Sequence, residues 1–134
     1  MKEAVRAIII RDGQILLMQR NKSGDLYYTL LGGGIEDGES ADQAIVREVL
    51  EETSLHVKRG SPKEVFRYDA GGPYGIQRIY MCEVDGNDPP RVAKDSVEAA
   101  SNLLGENIYN PMWVPLGQLL LLPFRPLPVA QAID

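Results

Sequence analysis

Between Glu36 and Glu52 seven acids (Glu36, Asp37, Glu39, Asp42, Glu48, Glu51 and Glu52) share a short stretch with one base, Arg47. Within the same stretch the apolar residues recur with helical spacing. No other feature constrains the fold as much, because one helix must bury one side while an adjoining side crowds carboxylates together. On a wheel advancing about 100° per residue, Glu48, Glu51 and Glu52 fall within an arc of roughly 100°. Ile45, Val46, Val49 and Leu50 occupy the neighbouring arc and form the expected core-facing stripe. Arg47 borders Glu51 and can neutralise part of the charge. Like charges one turn apart cost only about 0.2–0.5 kcal/mol per pair, and charge runs are most often solvated faces. Helix geometry therefore leaves two readings open, a plain surface helix or a site.

The segments around this helix, expected over residues 39–53, are β-like. Residues 4–11 and 14–20 read as strands joined at Asp12-Gly13, a hairpin turn signal. Residues 26–31 form an aromatic, apolar run that ends in Gly32-Gly33-Gly34. Further strands are expected at 55–58, 65–68 and 76–84, and the stretch 85–91 with Pro89-Pro90 reads as loop. Residues 96–104 read as a short helix or an ordered loop, 113–116 as a strand end and 117–122 as a helical turn or two. Pro123, Pro126 and Pro128 keep any last helix short. Strands, one strong helix, then strands make an α/β or α+β chain, and 134 residues fit one domain spanning 1–134.

Charge and composition exclude several function classes. The acidic stretch carries a net −6 and the rest of the chain +1, for a total of −5, which argues against a general nucleic-acid binder. The longest apolar runs, 7–10 and 119–122, fall far short of the ~20 residues of a membrane helix. Residues 1–6 lack a signal-peptide core, and the lone Cys82 allows neither an internal disulfide nor a zinc site built on cysteine pairs. The expected setting is the cytoplasm. An acidic patch repels phosphates unless a cation lies between them. Backbone carbonyls freed by glycine, together with carboxylates, are the oxygen ligands that Mg²⁺ takes.

The spacing decides between the two readings. Gly33 is followed after five residues by Glu39, after seven more by Arg47-Glu48-Val49, then by Glu51-Glu52, Ser54 and Leu55. This resembles the Nudix box, Gly-x5-Glu-x7-Arg-Glu-U-x-Glu-Glu-x-Gly-U with U aliphatic. At roughly 6% usage per residue type, six fixed matches arise by chance on the order of once in 10⁵. Ser54 stands where the family has Gly, and Leu31 where relatives commonly have Pro. If the missing glycine ends the helix in a left-handed conformation, serine there implies about 1 kcal/mol of strain or a different cap. The resemblance extends to the opening strands, to Leu16-Leu17-Met18-Gln19-Arg20 and to Trp113-Val114-Pro115-Leu116, with weakest coverage at 85–112 and beyond 122.

The resemblance implies an α/β/α sandwich around a mixed sheet and a metal-dependent hydrolase of nucleoside diphosphates linked to another group X. It implies that Glu48, Glu51, Glu52 and the Gly32 carbonyl hold Mg²⁺ or Mn²⁺, and that Glu39 and Arg47 pair to fix the loop against the helix. Glu48 is the box residue that would orient or deprotonate the attacking water. Small members often recruit a further acid from a later loop, and among Asp85, Asp88, Asp95, Glu98 and Glu106 the expectation falls on Glu98. Arg20 and Arg6 are candidates for phosphate recognition, against the plainer reading of solvated strand charges. The implied partners are a small nucleotide-type substrate, nucleic acid only as a capped end, and a second copy of the chain in a homodimer. The competing reading is a silent Nudix-like binding module. His56, Cys82 and Trp113 read as polar strand, core and packing residues, and Tyr27, Tyr28, Tyr74 and Tyr80 as core or as a base pocket.

Overall fold

A computed structural model describes residues 3–71 and 75–133; Tyr74 lies outside them. The N-terminal hairpin forms as the turn signal requires, with β1 (Glu3–Ile8) and β2 (Ile10–Arg11) leading through Asp12-Gly13 into β3 (Gln14–Lys22). β4 (Asp25–Thr29) returns along β3, and β5 is Leu31–Gly34. After α1 (Ala41–Thr53) come β6 (Lys63–Asp69), β7 (Ile76–Met81), α2 (Val97–Leu104) and β8 (Asn107–Pro115). A 3₁₀ turn (Leu116–Leu121) and α3 (Leu127–Ile133) end the described chain.

Two four-stranded sheets result. One has the order β5-β1-β7-β6, with β1 and β7 parallel and the other pairs antiparallel. In the other, β3 pairs with β2 and β4 on one side and β8 on the other. Side chains alternate across β1, as strand geometry demands. Val5, Ala7 and Ile9 join Leu31, Ala44, Ile45 and Val49 in a core beneath α1. Ile8 faces the opposite way, into a second core with Ile15, Leu17, Ile79, Leu119, Phe124, Val129 and Ala130. Sheets thus lie between α1 on one side and the C-terminal helical segments on the other.

Several boundaries differ from the sequence expectation. The triple glycine, where the apolar run was expected to end, continues as strand β5, with Gly34, Gly33 and Gly32 opposite Ala4, Val5 and Arg6. A Cβ on Gly32, at φ 143°, would collide with the Val5 carbonyl oxygen, so only glycine brings this strand onto β1. The helix begins at Ala41, because Ser40 takes the N-cap and forms a reciprocal capping box with Gln43. The expected strand at 55–58 is reduced to a single bridge, Val57 with Val84. β8, in contrast, runs the full length of β3 from Lys22 back to Gln14, well beyond the expected strand end at 113–116.

The buried face of α1 is also rotated from the expected stripe. Ala44, Ile45 and Val49 are buried, but Val46 and Leu50 are 44% and 38% exposed. Their places in the interior go to Glu48 and Glu52, at 8% and 7% exposure. Hydrophobicity alone would turn the helix the other way. The interior contacts of Glu48 and Glu52 with β5 hold it in this orientation.

Candidate functional site

The glycines of β5 and the carboxylates of α1 fit together atom by atom. Glu52 Oε1 accepts a hydrogen bond from the Gly32 N–H at 2.7 Å. Gly33 has no Cβ, and one built there would stand 2.6 Å from Glu48 Oε1, so the carboxylate of Glu48 occupies the space that a side chain would fill. Burial pushes the pKa of Glu52 up to about 8, with Glu48 adding like charge. Glu48 is raised for the same leading reason, with Arg47 opposing. Two carboxyl groups held in the interior side by side are costly when ionised, unless a cation shares the site.

Arg47 organises the mouth of this cluster. Its Nε donates to Glu39 Oε2 at 2.8 Å, and one terminal nitrogen donates to Glu39 Oε1 at 3.0 Å and to the Gly34 carbonyl at 3.1 Å. The other donates to Glu48 Oε1 at 2.8 Å and to Glu51 Oε2 at 3.4 Å. The two-pronged bond to Glu39 lowers that carboxyl's pKa and raises that of the guanidinium. Glu39 also accepts from the Glu36 N–H, so the pair pins the loop between β5 and α1. Glu48 and Glu51 are turned onto Arg47, and among the described residues no three acids or histidines already converge as a ligand set.

Glu98 comes from the far side of the chain. It sits in the first turn of α2 behind the Ser96 N-cap, rather than in a loop, and its charge acts on both Glu48 and Glu52. Its Oε2 is fully buried and has no hydrogen-bond partner among the described residues. Buried carboxylate oxygens are normally satisfied, so an orphaned one facing two other buried acids has the chemistry of a cation ligand. Hard oxygen donors of this kind suit Mg²⁺ or Mn²⁺. The residues present therefore fit such an ion, which Glu48 and Glu51 would have to leave Arg47 to hold.

The two arginines part company. Arg20 is stacked 3.8 Å from the Tyr109 ring centroid and 5.5 Å from Tyr27, and one nitrogen donates to Asn107 Oδ1 at 2.8 Å. It is therefore not a freely solvated charge, and its buried Nε lacks a partner. Arg6 makes no hydrogen bond or ion pair with a described residue and lines a cleft with Thr29, Gln77 and Phe124. Sequence reasoning missed this cleft, whose far wall is the 124–129 segment. Of the tyrosines, Tyr80 is buried beneath α1 and Tyr28 packs on the second core, hydrogen-bonded to Gln19 at 2.8 Å, while Tyr27 stacks on Arg125.

The family model described as NUDIX domain matches residues 1–131. The chain belongs to the Nudix family. The Nudix chain is 34% identical over 95 residues to the NAD-capped RNA hydrolase NudC of Escherichia coli O9:H4 (strain HS), covering 68% of itself and 35% of that protein. It thus spans about a third of the length of the curated relatives it matches. The solution structure of the E. coli ORF135 protein is 28% identical, with a TM-score of 0.69, covering 98% of this chain and 87% of that one. A MutT structure from Aliivibrio salmonicida and Vibrio cholerae work, at 20% identity and TM-score 0.71 over 98% and 94% of the two chains, shares the fold. So does an ADP-ribose pyrophosphatase from Streptococcus suis, at 22% identity and TM-score 0.64 over 92% and 79%.

Proposed function

We propose that this Nudix chain is a metal-dependent hydrolase that cleaves the diphosphate linkage of a nucleoside diphosphate joined to another group. The observation that carries this reading is the interior cluster of Glu48 and Glu52 against Gly32-Gly33, with the orphaned Glu98 oxygen facing it. A silent binding module has no use for buried carboxylates that weaken its own fold. The relatives point the same way, since NudC is named as a hydrolase of NAD-capped RNA.

In this reading Glu48, Glu51, Glu52 and the Gly32 carbonyl hold Mg²⁺ or Mn²⁺. When bound, the ion neutralises phosphate oxygens and lowers the pKa of water at the site. Glu39 and Arg47 lock the β5–α1 loop, so the glycine backbone keeps its place against the acids. Glu98 would accept a proton from the attacking water, directly or through one further water, with Glu48 the alternative acceptor. A cytoplasmic setting belongs to the same proposal.

A substrate panel tests the reading: nucleoside triphosphates, dinucleotide polyphosphates, nucleotide sugars and capped RNA, each with Mg²⁺ and Mn²⁺. Release of phosphate, pyrophosphate and mononucleotide is scored separately. Turnover of at least one member with mononucleotide release is expected. Tight binding without turnover of any member would establish the silent module instead.

A further inference from the structure

One cleft brings together two polar side chains that make no hydrogen bond to a described residue, although neither has an atom sealed from solvent and partnerless as Glu98 Oε2 is. Gln77 is 92% hidden, at 8% exposure, and its side-chain amide has no hydrogen bond to any described residue. Arg6, partly buried, likewise has none, and burial lowers its pKa against the pull of Glu52 and Glu48. The parallel register of β1 and β7 sets Ala4 beside Gln77 and Arg6 beside Ile79, so Arg6 and Gln77 lie on one face. Arg125 also lines the cleft, but Asp25 holds it at 2.9 and 3.0 Å and it stacks on Tyr27.

The place of this cleft relative to the acids is fixed by the sheet. Arg6 is the register partner of Gly32, whose N–H is held by Glu52. Arg6, like Ile8, points to the face of the sheet away from α1, yet Glu52 and Glu48 still act on its charge. A nucleotide with its diphosphate at the acid cluster therefore reaches Arg6 with its nucleoside end by passing strand β5. Leu30, Phe124, Pro126 and Val129 supply apolar walls, and the cavity of about 50 Å³ admits the edge of a planar ring rather than a whole nucleotide.

The chemistry of the two side chains then selects among rings. A guanidinium offers only donors, in a planar fork, and stays charged at any working pH, whereas the glutamine amide both donates and accepts. Arg6 must meet acceptors, and its fork is filled by two adjacent ones. Guanine presents such a pair in O6 and N7, and cytosine in O2 and N3, with the amine of cytosine left for the Gln77 oxygen. On both polar edges of adenine each ring nitrogen sits beside the donating amine.

We propose that the cleft of Arg6, Thr29, Gln77 and Phe124 is a base-selecting pocket, in which Arg6 favours a base with a carbonyl oxygen beside a ring acceptor and disfavours adenine. The proposal rests on the hydrolase reading only for where the diphosphate lies. It makes guanine or cytosine nucleotides the substrate class, ahead of adenosine-based ones such as ADP-ribose. Occupation of the acid cluster by a divalent ion removes the negative field that Glu48 and Glu52 lend Arg6, so ion and base reinforce each other.

The test is binding of GMP, CMP and AMP to the whole chain by titration calorimetry, without divalent ions and so without turnover. The expected result is GMP or CMP bound about 10- to 100-fold more tightly than AMP, the range for one good two-pronged contact. Arg6→Met, which keeps the stem and loses the donors, should bring the ratio to within about twofold. Arg6→Lys, which keeps the charge but not the fork, should fall between and serves if the methionine variant fails to fold. AMP bound as tightly as the others by wild type, or an undiminished ratio in either variant, overturns the proposal. Hydrolysis of matched guanosine and adenosine substrates at equal kcat/KM would also overturn it and leave the hydrolase reading standing. Base ranking through Arg6 with no hydrolysis of any substrate would do the reverse.

Discussion

Replacing Glu52 by glutamine should stabilise the metal-free protein, against the usual expectation for a residue at a candidate site. Burial and the neighbouring Glu48 raise the pKa of Glu52 from 4.5 to about 8. An acid raised in the folded state favours its neutral form there, so the fold loses stability as pH climbs through 4.5 and toward 8, and levels off above. Linkage at about 1.4 kcal/mol per tenfold change in affinity sets a ceiling of about 5 kcal/mol for that loss. Glu48 shifts in the same direction. The acids with lowered pKa, Glu39 and Glu64, lend stability that disappears only below their ordinary titration near 4.5, outside this window. Between pH 5 and pH 9 in chelator, wild type should lose at least about 2 kcal/mol, or roughly 6–10 °C in Tm. Glutamine can still accept from the Gly32 N–H and carries no charge, so Glu52→Gln should melt higher than wild type at pH 9 and show a flatter profile. Mg²⁺ or Mn²⁺ should raise the Tm of wild type most at high pH and that of the variant far less. A wild-type Tm unchanged from pH 5 to pH 9 in chelator, or a variant that melts lower at pH 9, would falsify the buried-carboxylate account.

Glu98→Gln should keep the fold, since its Oε2 has no partner to lose, and lower kcat by about 10²- to 10⁴-fold at saturating metal if it is the base; wild-type kcat would move that role to Glu48. Gly32→Ala should cost several kcal/mol or abolish folding, because its Cβ meets the Val5 carbonyl, and thermal melts decide it. Ser54→Gly should be neutral within about 0.5 kcal/mol: it relieves the left-handed conformation at φ 63° and gives up the Ser54 Oγ–H bond to the Arg91 carbonyl, two effects of about 1 kcal/mol or less each. Ser54→Ala keeps the strain and loses the bond, so it should lose about 1 kcal/mol in chemical denaturation.

What the sequence made legible follows from how local each signal is. The box spacing placed Glu39 and Arg47 together, and the two meet at 2.8 Å. The missing glycine was rightly read as a left-handed helix end, which Ser54 adopts with an extra hydrogen bond that no sequence pattern announces. The buried face of α1 was misread because a hydropathy wheel sends carboxylates outward, whereas Glu48 and Glu52 are drawn inward by two glycines on a distant strand. β8 was read short because Asn107, Asn110 and Pro111 look like loop residues; the neighbouring Tyr109 stacks on Arg20 across the sheet. The Arg6 cleft joins β1, β7 and the 124–129 segment, a long-range meeting with no signature along the chain.

The most direct measurement is the hydrolysis rate against free Mg²⁺ for wild type, Glu48→Gln and Glu52→Gln, on whichever substrate of the panel turns over best. All three proteins should melt cooperatively. Wild type should be inactive in excess chelator and saturate with added ion, while both variants lose most of their rate and need more ion to reach what remains. Full hydrolysis by wild type in chelator, or wild-type ion dependence in both variants, would contradict an active centre built on the buried carboxylates of α1.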